Sequence, residues 1–181
     1  MQEDTYKTMI KLNDFKQYGF YVTWKLIDIG FRGNDIFKYN LEARDIINYA
    51  IEKIENNSED NLIYELASMY ETETEEINKI LKKLSLKEKT TFNLEFRKWR
   101  IIYVINTIKN IDKNDYISGL IELGDLWEKL GYPQDTPHII QGRFNTFTPE
   151  EYYTEENYKF LLIKHKKWII SEMKFILRNQ V

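Results

Sequence analysis

Apolar positions along the chain recur at spacings of three and four residues, which is the period of a helix with one buried face. Ala43, Ile46, Ile47, Ala50, Ile51 and Ile54 share such a face. Leu62, Leu66 and Met69 do the same, with Ile63, Ala67 and Tyr70 beside them. Ile77, Ile80, Leu81 and Leu84 predict a third helix. Phe92, Phe96, Trp99 and Tyr103 form one edge of a longer one. Ile101, Val104, Ile105 and Ile108 give that helix a second apolar face, which predicts a central position. Ile117, Leu120, Ile121 and Trp127 predict another, and Tyr158, Leu161, Leu162, Trp168, Ile169, Met173 and Ile176 the last.

Polar residues at the ends of these runs supply capping chemistry. Thr148-Pro149-Glu150-Glu151 offers a hydroxyl acceptor at the N-cap, a proline where its missing N–H costs nothing, and a glutamate that returns a bond. Ser58 before Glu59-Asp60, Thr72 or Thr74 before Glu75-Glu76, and Asp112 before Asn114-Asp115 are similar starts. Gly131 followed by Pro133 ends the helix that carries Trp127. Thr23 is expected to cap a short helix through Asp28, stopping near Gly30, and Gly19 to Val22 read as a possible strand. Gly30 to Asn34 reads as a turn, since it lacks the lysine and the third glycine of a phosphate loop. Residues 132–147 hold Pro133, Pro137 and Gly142 and read as a loop, ordered by His138, Ile139, Ile140, Phe144 and Phe147.

The expectation is an all-α fold in one domain over residues 1–181. Its form is a bundle or stacked αα-hairpins of about six to eight helices. The segments 41–56 with 60–71, and 74–86 with 90–110, are the candidate hairpins.

Composition narrows the chemistry. The 181-residue chain has no cysteine, which excludes disulfides, thiolate metal sites and a cysteine nucleophile. The net charge is -3, yet the window Glu55 to Glu76 holds eight acids and no lysine or arginine. That window is either a solvated pair of helix faces or an acidic docking surface. The only histidines are His138 and His165. Neither belongs to a zinc signature, and His165 beside the apolar stripe reads as a structural residue. There is no acyl-transfer serine elbow. Phe92, Phe96, Arg97, Lys98, Trp99 and Arg100 could stack on and neutralise a nucleic acid, but their spacing reads as core aromatics with solvated bases between them.

The segment Trp127-Glu128-Lys129-Leu130-Gly131-Tyr132-Pro133-Gln134-Asp135, with Lys98-Trp99 upstream, resembles the DUF2247-type family of uncharacterised bacterial all-helical proteins. The likeness covers most of residues 15–178. It departs at Gln141-Gly142-Arg143-Phe144, where the family pattern has a Tyr-Met-Pro type segment. The resemblance implies an all-helical chain and carries no catalytic residues. In size, acidity and richness in Lys, Asn and Ile the chain is also similar to immunity proteins of bacterial toxin systems.

The functional expectation is a cytoplasmic protein-binding module, in the sharper form an immunity protein that neutralises a cognate toxin. It would not be an enzyme, and would use no cofactor or metal. The expected partner surface comprises Glu59, Asp60, Glu71, Glu73, Glu75, Glu76, Tyr152, Tyr153 and Glu156. Tyrosine offers large contact area at low entropic cost, and carboxylates select a basic partner. One alternative is a small helical enzyme using surface carboxylates or a metal. Another is a nucleic-acid-binding regulator through residues 79–109. Nucleic acid and membrane are not the expected partners.

Overall fold

The computed structural model describes residues 10–33, 41–143 and 145–180, so Asn34 of the expected turn and Phe144 of the expected loop lie outside the described residues. Among the described residues there are nine helices and no strand. They are α1 (Leu12–Gln17), α2 (Trp24–Arg32), α3 (Ala43–Glu55), α4 (Asn61–Ala67), α5 (Thr74–Lys87), α6 (Phe92–Asn110), α7 (Tyr116–Lys129), α8 (Pro149–Tyr152) and α9 (Glu155–Asn179). The all-α expectation holds. Gly19 to Val22 is a turn and extended segment that joins no sheet among the described residues.

The chain divides into two compact units, Met1–Ile102 with Ile176–Val181, and Tyr103–Phe175. In the first, α3 packs on α4, α2 on α5, and α4 on α5. The α3–α4 pair is the first of the hairpins expected from the apolar spacing. Thr23 caps α2 as expected, accepting from the Leu26 N–H at 3.0 Å, but the helix runs through Gly30 to Arg32. Gly30 sits inside the helix at a position that admits no side chain, since a Cβ would collide with the Trp99 indole. The Glu88 carboxylate accepts from the Trp24 and Lys25 N–H groups, both at 2.8 Å. Two of the donors left over at the start of α2 are thereby satisfied by a residue from beyond α5. Trp99 is fully buried, donates its indole N–H to the Leu26 carbonyl at 2.9 Å, and meets Phe15 edge-on at 4.8 Å. Such an aromatic pair adds about 1 kcal/mol to the burial itself. The predicted central helix α6 is buried along Trp99, Ile101, Ile102, Val104 and Ile105.

In the second unit, the side-chain cap of α7 is Asp115 rather than Asp112, accepting from the Ile117 and Ser118 N–H groups at 3.1 and 3.0 Å. The cap of α4 is likewise Asp60 rather than Ser58. Both shifts are of two or three residues, within the usual uncertainty of helix boundaries. Gly131, with φ 71°, closes α7 as expected, and the Tyr132 N–H returns to the Trp127 carbonyl at 2.9 Å. The capping box at Thr148 and Glu151 forms, but it opens the four-residue α8, and the last helix starts again at Glu155. The loop between α7 and α8 is held from within. The Asn145 side chain donates to the carbonyls of Ile140 and Arg143 at 2.7 and 2.8 Å, and the Tyr152 hydroxyl donates to the Ile139 carbonyl at 3.0 Å.

Candidate functional site

Both histidines fall in the second unit, in one buried cluster. α7 brings Trp127, α9 brings His165 and Trp168, the loop brings His138, and α8 brings Tyr152. His165 is fully buried. Its Nδ1 lies 2.6 Å from the Leu161 carbonyl, so that nitrogen carries the proton. Its Nε2 accepts from the Trp127 indole N–H at 2.6 Å. Both ring nitrogens are therefore engaged, in the neutral form. Burial pushes its pKa down to about 4, against the opposing pull of the Leu161 carbonyl and with help from the Lys164 ammonium.

His138 lies 5.8 Å from His165 between ring centroids. Its Nε2 is 3.2 Å from the Tyr152 hydroxyl. That hydroxyl already donates to Ile139, so it accepts from a protonated Nε2, and the buried Nδ1 is left as an acceptor with no hydrogen-bond donor among the described residues. Burial, then His165 and Lys164, push the His138 pKa down to about 3. Burial pushes the Tyr152 phenol up to about 12, so it stays protonated near neutrality. Trp168 completes the cluster, meeting Trp127 edge-on at 5.2 Å and donating to Asp135 of the Tyr-Pro-Gln-Asp turn at 3.2 Å. His165 could act as a base or ligand only by giving up the indole bond. Among the described residues no three metal-binding side chains converge. This cluster orders the loop against α7 and α9, the structural role read for His165.

The acidic residues expected at a partner surface, Glu156 excepted, lie in the first unit. Asp60 accepts from the Leu62 N–H at 3.0 Å and pairs with Lys87 at 2.6 Å, and the lysine holds its carboxyl below the usual range. Glu71 pairs with Arg44 at 2.7 Å and Glu76 with Lys79 at 3.0 Å. Glu73 accepts from the Tyr70 N–H at 2.7 Å. Glu59 and Glu75 are exposed and, like Glu65 and Glu73, form no ion pair among the described residues. Tyr64 and Tyr70, on α4 and the turn after it, are 49% and 77% exposed. Tyr64 lies opposite Leu62 and Leu66 round the helix, whereas Tyr70, read beside the apolar stripe, follows the end of α4 at Ala67.

Tyr152, Tyr153 and Glu156 lie in the second unit, apart from that set in the chain's division. Tyr152 corrects the sequence reading: it is buried against His138 and presents nothing to a partner. Tyr153 is partly exposed, edge-on to Tyr152 at 5.1 Å, and Glu156 is exposed.

A second correction concerns the basic segment. Lys98 and Arg100, read as solvated, are buried. The Lys98 ammonium lies 2.9 Å from the Tyr21 carbonyl and 3.0 Å from Glu95, itself fully buried. Glu95 also accepts from the Thr90 hydroxyl at 2.5 Å. Lys98 ties α6 to the Gly19–Val22 segment, and burial withdraws both Lys98 and Arg100 from the surface of residues 79–109.

The described residues form an all-helical protein with a buried histidine cluster and, in its other unit, exposed tyrosines and carboxylates. The chain belongs to DUF2247, described as an uncharacterized protein conserved in bacteria, whose family model matches residues 12–173. No curated protein and no solved structure matches the chain. No helix among the described residues is long and apolar enough to cross a membrane.

Proposed function

We propose that this chain is a cytoplasmic protein-binding module whose partner is a basic protein domain, docked on the face formed by α4, the turn after it and the start of α5. The observation that carries this reading is the exposure of Tyr70 and Tyr64 in a stretch that also exposes Glu59, Glu65, Glu73 and Glu75, none of which is neutralised by an ion pair among the described residues. Exposed tyrosines at the centre of a contact supply most of the binding energy, and surrounding charges speed encounter and reject wrong partners. In its sharper form the module is an immunity protein and the basic domain is a cognate toxin.

The test uses the full chain as bait in its native bacterial host, beside a Tyr70→Ala/Glu73→Lys variant. The wild type retains a basic protein in stoichiometric amount, the variant loses it at least tenfold, and co-expression of the chain relieves that protein's toxicity. Equal retention by both baits contradicts the docking face. A retained partner that is harmless when expressed alone contradicts the immunity form.

A further inference from the structure

Among the described residues α9 has one buried side and one exposed side. Tyr158, Leu161, His165 and Glu172 are buried. The other side carries Phe160, Ile163, Lys167, Ile170 and Lys174 at spacings of three and four, a single row along the helix roughly 20 Å long. Phe160, Ile163 and Ile170 are 51%, 52% and 53% exposed. Lys166, Lys167 and Lys174 are exposed beside them, and the Lys164 ammonium sits 5.6 Å from the centroid of the Phe160 ring. From Phe160 to Lys174 the only acid is Glu172, and it is buried. The outward side of this stretch is therefore apolar and wholly cationic.

Lys167 and Lys174 sit within the apolar row rather than along its margins. A helix lying in a lipid surface keeps its lysines at the sides, where they reach the headgroups. Lysines inside the row fit a surface whose carboxylates stand between apolar contacts. The chain itself carries a stretch of that chemistry: the exposed Tyr64 and Tyr70 alternate along the sequence with the exposed Glu59, Glu65, Glu73 and Glu75. We infer that this side of α9 docks on the acidic, tyrosine-bearing face of a second copy of the chain, head to tail. The two patches differ, so the contact is heterologous, and it extends beyond a dimer unless its rotation closes a ring. The inference uses the acidic face proposed above for a basic partner, which a second copy would occupy when that partner is absent.

Sedimentation velocity of the full chain over a wide concentration range tests it, with two variants built on exposed positions. Ile163→Glu/Ile170→Glu spoils α9, and Tyr70→Ala/Glu73→Lys spoils the acidic face; circular dichroism melts check that both fold. The wild type is expected to self-associate, more weakly in high salt. Each variant alone is expected to be monomeric. Their equimolar mixture is expected to regain association but stop at the dimer, because each contributes one intact face.

A wild type that stays monomeric throughout overturns the inference, as does association that survives in either variant alone, or a mixture that stays monomeric. α9-dependent binding to phosphatidylserine vesicles by a chain that does not self-associate also overturns it, in favour of a lipid surface. The α9 variant keeps the acidic face. A basic partner still captured by it, with no self-association in the wild type, removes this inference and leaves the proposed function; head-to-tail association with no basic partner does the reverse.

Discussion

The Trp127 indole N–H points at the Nε2 of His165 from 2.6 Å, while the other nitrogen of that ring is spent on the Leu161 carbonyl. A second proton on His165 would face a donor already in place. The folded pKa of about 4 lies below the ordinary 6.5, so the unfolded chain takes up this proton first as pH falls. Stability is then full above about pH 6.5 and is lost as pH drops toward 4. The change from 6.5 to about 4 corresponds to about 3 kcal/mol. His138, pushed to about 3, acts in the same direction. Urea unfolding at a series of pH values should show the midpoint falling steadily below about pH 6.5, less steeply in His165→Gln. A midpoint constant from neutrality to pH 4 would contradict the neutral, doubly engaged histidine.

Lys98 and Glu95 form a buried pair in the first unit, 3.0 Å apart. Removing one partner strands a charge without solvent, which costs about 3–5 kcal/mol. Lys98→Met should therefore cost far more than a surface lysine change such as Lys82→Met. Glu95→Gln/Lys98→Met should cost less than the sum of its two single changes. Denaturant midpoints of the four species in a double-mutant cycle read the coupling. Additive losses would mean that the two side chains are stabilised independently.

The helices were legible because their apolar spacing is regular, and α3, α5, α6 and α7 lie where that spacing puts them. What spacing could not show is which polar residue a neighbouring element would claim. Lys98 follows Arg97 on a charged stretch, and only the approach of the Tyr21 carbonyl and Glu95 makes it a buried residue. Tyr152 stands among glutamates and reads as surface, yet the short α8 turns it onto His138. Tyr70 failed in the opposite sense: its spacing sets it beside the Leu62, Leu66 and Met69 stripe, but α4 ends at Ala67 and the ring faces water. The acidic window was visible in full, and so was the local Glu76–Lys79 spacing, whereas neutralisation by Arg44 and Lys87 depended on how the helices fold back.

Two glycines of α7 should respond in opposite ways to the same change. A Cβ on Gly119 would come within 2.6 Å of the Tyr158 ring, whereas on Gly124 the nearest atom is His138 Nε2 at 3.8 Å. Gly119→Ala should destabilise by about 1–3 kcal/mol through overpacking. Gly124→Ala should be neutral or stabilise by up to about 1 kcal/mol, since alanine is the better helix former. Thermal melts of the two variants check this. Equal shifts would show that Tyr158 does not press on α7.

The acidic face is tested most directly by hydrogen–deuterium exchange of the full chain with and without the basic protein it recovers. Slowed exchange is expected in the stretch from Glu59 to Glu76, around Tyr64 and Tyr70, with a smaller effect at higher salt. Protection confined to other segments, with this stretch exchanging as in the free chain, would contradict a partner bound through these tyrosines and carboxylates.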